Sequence, residues 1–539
     1  MNALRPSLFR PAGRPSPPPT PVPTPTPTPP RSDAVIPADK APRSIPKLSL
    51  TGFKKPASTP SVPPSQAAAI VQDGSYLQVL SLKLSEGISK ALAQPVGPAP
   101  ANECLNGRRP IPAGRGRTFG SLIAVELNAS RDNPHLHKAV LRSLQRPLSA
   151  LLTNLSNNLL QLLSSPEFLN PLVPTPQAPN PNPTQLHALS LATFAGELLE
   201  VFDELGLGLD SDARGDGLKS TREALVSVTT RVIHPLVAGI KTELTSLVAV
   251  LEVPTATTAA KTTTSTLKAV AVTQHPSITN LQTVVPIYAR ALARYFATTP
   301  TQSYLASLEI SVVWRALVAL AHRVPSQLSP PSSPNMMGKK GRSVGGTPPA
   351  TPPSTRFILK LPPSRPPSPP TVQPYMPPVV GDTRAVYDLL SSLPRPDAEK
   401  ETTRLAREAV NDACDGLRAL LRLLESVQTI TTRNPVELAR ELGVLTADLP
   451  TLIALPVILN TYVFTGDKGG PRTIPSILGL PEERYRQECL TGFGRAEECT
   501  VAVGQRVLHV LSNESGLSSD PTAEAVILWL KDEITSVDS

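Results

Sequence analysis

Residues 401–427 read ETTRLAREAVNDACDGLRALLRLLESV, and their apolar positions decide the class of fold. Ala406, Val410, Ala413, Leu417, Leu420, Leu424 and Val427 recur at alternating steps of four and three. That spacing lines them along one stripe of an α-helix. Cys414 and Leu421 widen the stripe beyond a two-helix seam, so the segment belongs in a bundle. Arg404 and Glu408 stand one turn apart on the polar side, a pairing that adds about 0.2–0.5 kcal/mol.

The same pattern continues on both sides. Downstream, Asn434-Pro435-Val-Glu437 reads as a cap, a Pro at the first helical position and an early acid. Asp520-Pro521 opens a last helix in the same way. The run from Leu449 to Phe464 is interrupted by Pro450, Pro456 and Asn460, so it reads as a buried core helix and not as a membrane span. Upstream, Leu141, Leu144, Leu148, Leu151, Leu155 and Leu159 share a face, with Pro147 expected to kink that helix or start a new one. Ser220-Thr-Arg-Glu223 has the form of a capping box that opens a run to about Glu252. Pro235 is expected to kink or break that run near His234. Further helical runs span 70–93, 118–131, 185–205, 278–297 and 302–323. Strict alternation is rare, so strands are a minor component. No repeat period is evident.

Proline divides the chain. Of 539 residues 64 are Pro, and aromatics are few (10 Phe, 8 Tyr, 2 Trp), so cores must rest on Leu, Val, Ile and Ala. Residues 1–65 carry 19 Pro and a net charge of +7; residues 326–381 carry 16 Pro, no acid and a net charge of +6. Such tracts favour polyproline II over helix or inner strand. The expected organisation is therefore mostly α: a disordered basic arm (1–65), an irregular multi-helix bundle (66–325), a disordered Pro-rich linker (326–381) and an acidic helical bundle (382–539, net −8). The first bundle carries a Pro-rich loop at 165–184 and a Thr-rich loop at 254–276. Whether the two bundles pack together is open at this level.

Common chemistries are missing from the pattern. No GxxxxGK[ST] loop, GxSxG elbow or HExxH helix occurs. His135 and His137 do not share a helix face and have no third ligand at metal spacing. No catalytic, cofactor-binding or metal-binding residue is therefore expected. Cys104, Cys414, Cys489 and Cys499 are too sparse for a disulfide framework and read as free thiols of a reducing compartment. Cys489 and Cys499 are the pair close enough for a local bridge, which no other sequence feature calls for. The N-terminus lacks the apolar run of a secretory signal, and Pro6, Pro11 and Pro15 interrupt the helix of a transit peptide. Without a secretory signal, Arg214-Gly215-Asp216 reads as a polar turn.

The Pro-rich tracts hold the candidate binding motifs. Lys360, Pro363 and Pro366 have the [RK]xxPxxP spacing of a ligand for Pro-groove domains of the SH3 or WW type, with both prolines on one edge of a three-residue turn. Ser16, Thr20, Thr24, Thr26, Thr28, Thr59, Ser329, Ser333, Thr347, Thr351 and Ser368 each precede Pro, as a proline-directed kinase requires. A phosphate adds about −1.5 to −2 charges, so a few would cancel the charge of either arm. Lys339, Lys340 and Arg342 match a short nuclear-import pattern. These features point first to a non-enzymatic, cytoplasmic or nuclear scaffold that holds protein partners on helical faces and tunes them through its arms. The acidic module would dock the basic linker until phosphorylation releases it. One alternative is a chromatin- or transcription-associated protein whose basic arms contact DNA. Another is an enzyme on an all-helical body, to be sought around Glu126, Asp132, His135 and His137.

Overall fold

The computed structural model describes residues 65–96, 103–169, 181–209, 217–253, 274–323, 378–430, 434–464, 472–513 and 520–538. Among them every regular element is helical, apart from a single bridge between Leu105 and Arg108. Before the long Pro-rich tract come α1 (Ser65–Leu92), α2 (Arg115–Ala129), α3 (Pro134–Leu163), α4 (Pro166–Leu169), α5 (Pro183–Leu205), α6 (Lys219–Ala249, extended by a 3-10 turn at Val250–Glu252), α7 (Pro276–Tyr295) and α8 (Thr299–Ala321). After it come α9 (Pro378–Ser391), α10 (Glu401–Ser426), α11 (Pro435–Thr446), α12 (Thr451–Tyr462), α13 (Ile474–Leu478), α14 (Glu482–Cys489), α15 (Phe493–Asn513) and α16 (Pro521–Asp538).

The mostly α expectation is met, and several helix starts follow their local chemistry. Asn133 accepts a hydrogen bond from the Leu136 amide, Asn182 from Gln185, and Asn434 from Val436, each with Pro at the first helical position. One local expectation fails and another is narrowed. The Ser220–Glu223 box does not cap α6, which starts one residue earlier, at Lys219, without a side-chain cap. Pro147 and Pro235 lie inside α3 and α6 without starting a new helix or ending the old one. Tertiary packing carries these prolines: Leu144, Pro147, Leu148 and Leu151 are all buried on one face of α3, which outweighs one lost backbone bond.

Helices from both sides of the Pro-rich tract share one core. The apolar face of α8 packs on α6 on one side and on α10 on the other. In α10 the expected stripe is buried from Val410 onward, with Ala406 half-buried, and the C-terminal half is enclosed more widely, through Ala419, Leu420, Leu421, Leu423 and Leu424. The cause is four neighbours, α8, α9, α11 and α12. Polar contacts tie the blocks together as well. Trp314 Nε1 donates to the Leu490 carbonyl at 2.8 Å, and Arg323 meets Asp382 at 2.6 Å with both side chains 3% exposed. Arg486 on α14 pairs with Glu252 behind α6. By length and composition, α6 with its 3-10 turn and α8 are long and apolar enough to cross a membrane. In α8 the apolar window is 72% buried inside the fold, so its composition meets a packing requirement.

Two carboxylates of α5 organise the junction of α2, α8 and α10. Glu197 accepts from the amides of Gly114 (2.6 Å) and Gly116 (2.9 Å), capping α2 from outside its own sequence. Glu200 accepts from Arg117 Nη2 (2.6 Å), Lys400 Nζ (2.7 Å) and the Thr299 amide and hydroxyl (both 3.0 Å). Burial alone pushes the Glu200 carboxyl upward; Lys400, Thr299 and Arg117 outweigh it and hold the group at about 2. Close approach of α2 to α5 requires Gly116, where an added Cβ would stand 2.2 Å from the Phe194 carbonyl oxygen. Gly116→Ala is expected to cost about 2–4 kcal/mol, through displaced backbone and a weakened cap. Gly239→Ala, on an open face of α6 with nothing within 4 Å of the added Cβ, should be neutral or slightly stabilising. Urea melts of the two variants provide the comparison, and equal midpoints would contradict the tight α2–α5 contact.

Candidate peptide-binding groove

The Pro-groove motif (Lys360, Pro363, Pro366), the Ser/Thr-Pro sites from Ser16 to Ser368 and the basic cluster Lys339, Lys340 and Arg342 all lie outside the described residues. The positions considered for an enzyme are described and stay apart in role. Glu126 is held low by Lys83, and then by Tyr76, which donates to it at 2.6 Å. His137 pairs with Ser130 at 3.2 Å, and His135 is exposed. Among the described residues no group of three His, Cys, Asp or Glu side chains is arranged to hold a metal ion.

A groove of about 680 Å³ opens where α8, α10, the α11–α12 corner and α15 meet. Its floor is apolar: Ile310 of α8, Ala413 of α10, Leu449 and Pro450 of the corner, and Phe493 of α15. Packing behind the groove sets each wall. The indole of Trp314 lies 4.6 Å from the Phe493 ring, centroid to centroid, and fixes the start of α15 through the Leu490 carbonyl. The corner is pinned from α16, where Glu533 accepts from the hydroxyls of Thr446 (3.2 Å) and Thr451 (3.1 Å). Trp529 Nε1 donates to the same Thr446 hydroxyl at 3.1 Å.

The rim is acidic. Asp412, Asp448 and Glu497 are exposed, line the groove, and form no ion pair or side-chain hydrogen bond among the described residues. On the helices that carry Asp412 and Glu497, Arg404 pairs with Glu401 and Glu408, Arg418 with Asp415, and Arg495 with Glu498. A concave apolar floor under unneutralised carboxylates suits a ligand with apolar contact points and positive charge. Such a site offers complementarity and orientation.

A smaller cavity, about 140 Å³, lies among α8, α12, α13 and α14. His322 Nδ1 lies 3.1 Å from the Val318 carbonyl and so carries the proton, leaving Nε2 an unpartnered acceptor. Burial first, then the Arg486 charge, depress this imidazole to about 4, so it is neutral at pH 7. Arg486 is already neutralised there by Glu252 and Glu482, which leaves the larger groove as the principal candidate.

The groove was not legible from the sequence. The 401–427 periodicity located the helix that bears Asp412, but the rim acids are separated in sequence and come together only through packing. The acidic balance of residues 382–539 was the one signal that pointed toward it. No known protein family, curated protein or solved structure matches the chain.

Proposed function

We propose that the protein is a non-enzymatic scaffold or adaptor that holds a basic peptide segment of a partner in the acid-rimmed groove, while its Pro-rich arms recruit Pro-groove domains and are charge-tuned by phosphorylation. One observation carries this: three unpaired carboxylates surround an apolar floor built by four segments of the core. Extended basic peptides place apolar side chains on one edge and charges beside them, matching that layout. The arms contribute through composition, with +7 and +6 charges and candidate sites such as Lys360, Pro363, Pro366, Thr28 and Ser368.

The test uses full-length protein and fluorescent twelve-residue peptides carrying zero to five Lys or Arg among spaced Leu and Pro. Affinity is expected to rise with positive charge and to fall with salt, because exposed charges are screened within about 8–10 Å. The triple variant Asp412→Asn, Asp448→Asn, Glu497→Gln keeps the groove's shape and should lose binding at least about tenfold, or roughly 1.4 kcal/mol. Unchanged affinity in the triple variant, or equal binding of acidic peptides, removes the groove from the proposal. A peptide of residues 335–346, from the chain's own basic tract, serves as competitor; competition would place part of the linker in the same groove.

A further inference from the structure

Two thiols lie at the corner between α14 and α15. α14 ends at Cys489, residues 490–492 turn the chain, and α15 begins at Phe493. The Glu488 carbonyl, left over at the C-terminal end of α14, accepts from Arg495 Nε at 2.6 Å and from the Cys499 thiol at 3.5 Å. Cys499 is thereby held against the last turn of α14, its sulfur on the carbonyl of the residue that precedes Cys489. Cys489 is 7% exposed, whereas Cys499 is only half-buried. Both are free thiols. The corner that carries them is anchored by Trp314 through the Leu490 carbonyl and the Phe493 ring. Cys104 and Cys414 lie on other parts of the fold, between α1 and α2 and within α10.

We propose that Cys489 and Cys499 are an oxidisable dithiol, which a hydroperoxide converts into an intramolecular disulfide joining α14 to α15. Cys499, the accessible member, reacts first as thiolate. Its sulfur attacks one peroxide oxygen, the O–O bond breaks, and Cys499 becomes a sulfenic acid while an alkoxide, or hydroxide from hydrogen peroxide, departs and takes up the proton the thiol had released, as alcohol or water. The Cys489 sulfur then gives up its proton and attacks the Cys499 sulfur. The S–O bond breaks, and the hydroxyl leaves with that proton as water. Two thiols lose two electrons and the peroxide gains them, so no other reactant is needed. Burial, and the Cys499 thiol beside it, push the Cys489 thiol well above the ordinary range. Cys489 therefore stays protonated and acts only after Cys499 has been activated. Cys499 shares its helix with Phe493, Glu497 and Thr500 of the groove, but the chemistry does not depend on what the groove binds.

The sequence makes the test direct. Trypsin cuts after Arg486, Arg495 and Arg506, so residues 487–495 and 496–506 form two peptides with one cysteine each. Full-length reduced protein is exposed to a modest excess of hydrogen peroxide, blocked with N-ethylmaleimide and digested without reductant. The expected product is the two peptides joined, two hydrogens lighter than their sum, with a loss of two free thiols per chain. In Cys489→Ser the Cys499 sulfenic acid should instead be trapped by dimedone. In Cys499→Ser, Cys489 should remain fully alkylatable after unfolding. Accumulation of Cys499 sulfinic acid in the wild type while Cys489 stays alkylatable overturns the proposal, as does pairing of Cys499 with Cys104, Cys414 or a second chain. Because the decisive peptide comes from the wild-type protein, a variant that fails to fold does not blunt the test.

Discussion

Trp314→Ala is expected to lower the unfolding free energy by about 3–5 kcal/mol, the usual loss for truncating a buried Trp. Trp314 is 5% exposed in the middle of α8 and is the side chain through which the first block holds the α14–α15 corner of the second. Its removal empties a cavity between α8 and α15 and strips the Leu490 carbonyl of its donor. It also removes the ring that supports Phe493. Trp314→Phe keeps an aromatic face but not the Nε1 donor, so it should cost less, about 1–3 kcal/mol. The chain has two Trp, so in either variant Trp529 alone reports by fluorescence whether α16 still packs on the α11–α12 corner. Urea melts followed by circular dichroism and by fluorescence measure both losses. If Trp314→Ala melts within about 1 kcal/mol of wild type, the contact between the two blocks is not a cohesive part of the core.

Glu309→Gln is expected to stabilise the protein, and increasingly so as pH rises. Glu309 is 3% exposed on α8, its Oε1 has no partner, and burial pushes its carboxyl up to about 8 against the partial opposition of Arg395 and Arg407. Below its unfolded value of 4.5, Glu309 is protonated in both states and imposes no pH-linked penalty. Between that value and about 8 the native state binds the extra proton, so stability falls as pH rises. The slope for one group is about 1.4 kcal/mol per pH unit, giving a penalty of about 3 kcal/mol at pH 7 and no further growth above the native value. Gln resembles the neutral acid and cannot ionise. The two proteins should therefore melt alike at pH 4.5, separate progressively to pH 8, and run parallel beyond. Melts of both across that range decide it: a constant offset at every pH would mean that Glu309 is ionised in the native state throughout.

Glu309 also shows where sequence reasoning ends. A single acid on an apolar helix reads as surface until the neighbouring helix covers it, and α10 covers this face because its own stripe seeks the same core. By contrast, the stripe of 401–427, the caps at Asn133, Asn182 and Asn434, and the exposed Arg404–Glu408 pair were determined locally. They depend on spacings of one to four residues, which any helix imposes on its own sequence.

What the sequence determined by itself was therefore the helical class and most helix positions. Those features follow from backbone geometry and from the loss of a donor at proline, which act over a few residues. Only the tertiary structure decided that the two blocks share a core, that Pro147 and Pro235 ride inside unbroken helices, that Asp412, Asp448 and Glu497 rim one groove, and that Cys499 comes to rest beside Cys489. Each of these depends on which apolar faces are buried together, and burial is non-directional. It selects which faces meet through the shape of the whole assembly, information that no local spacing carries.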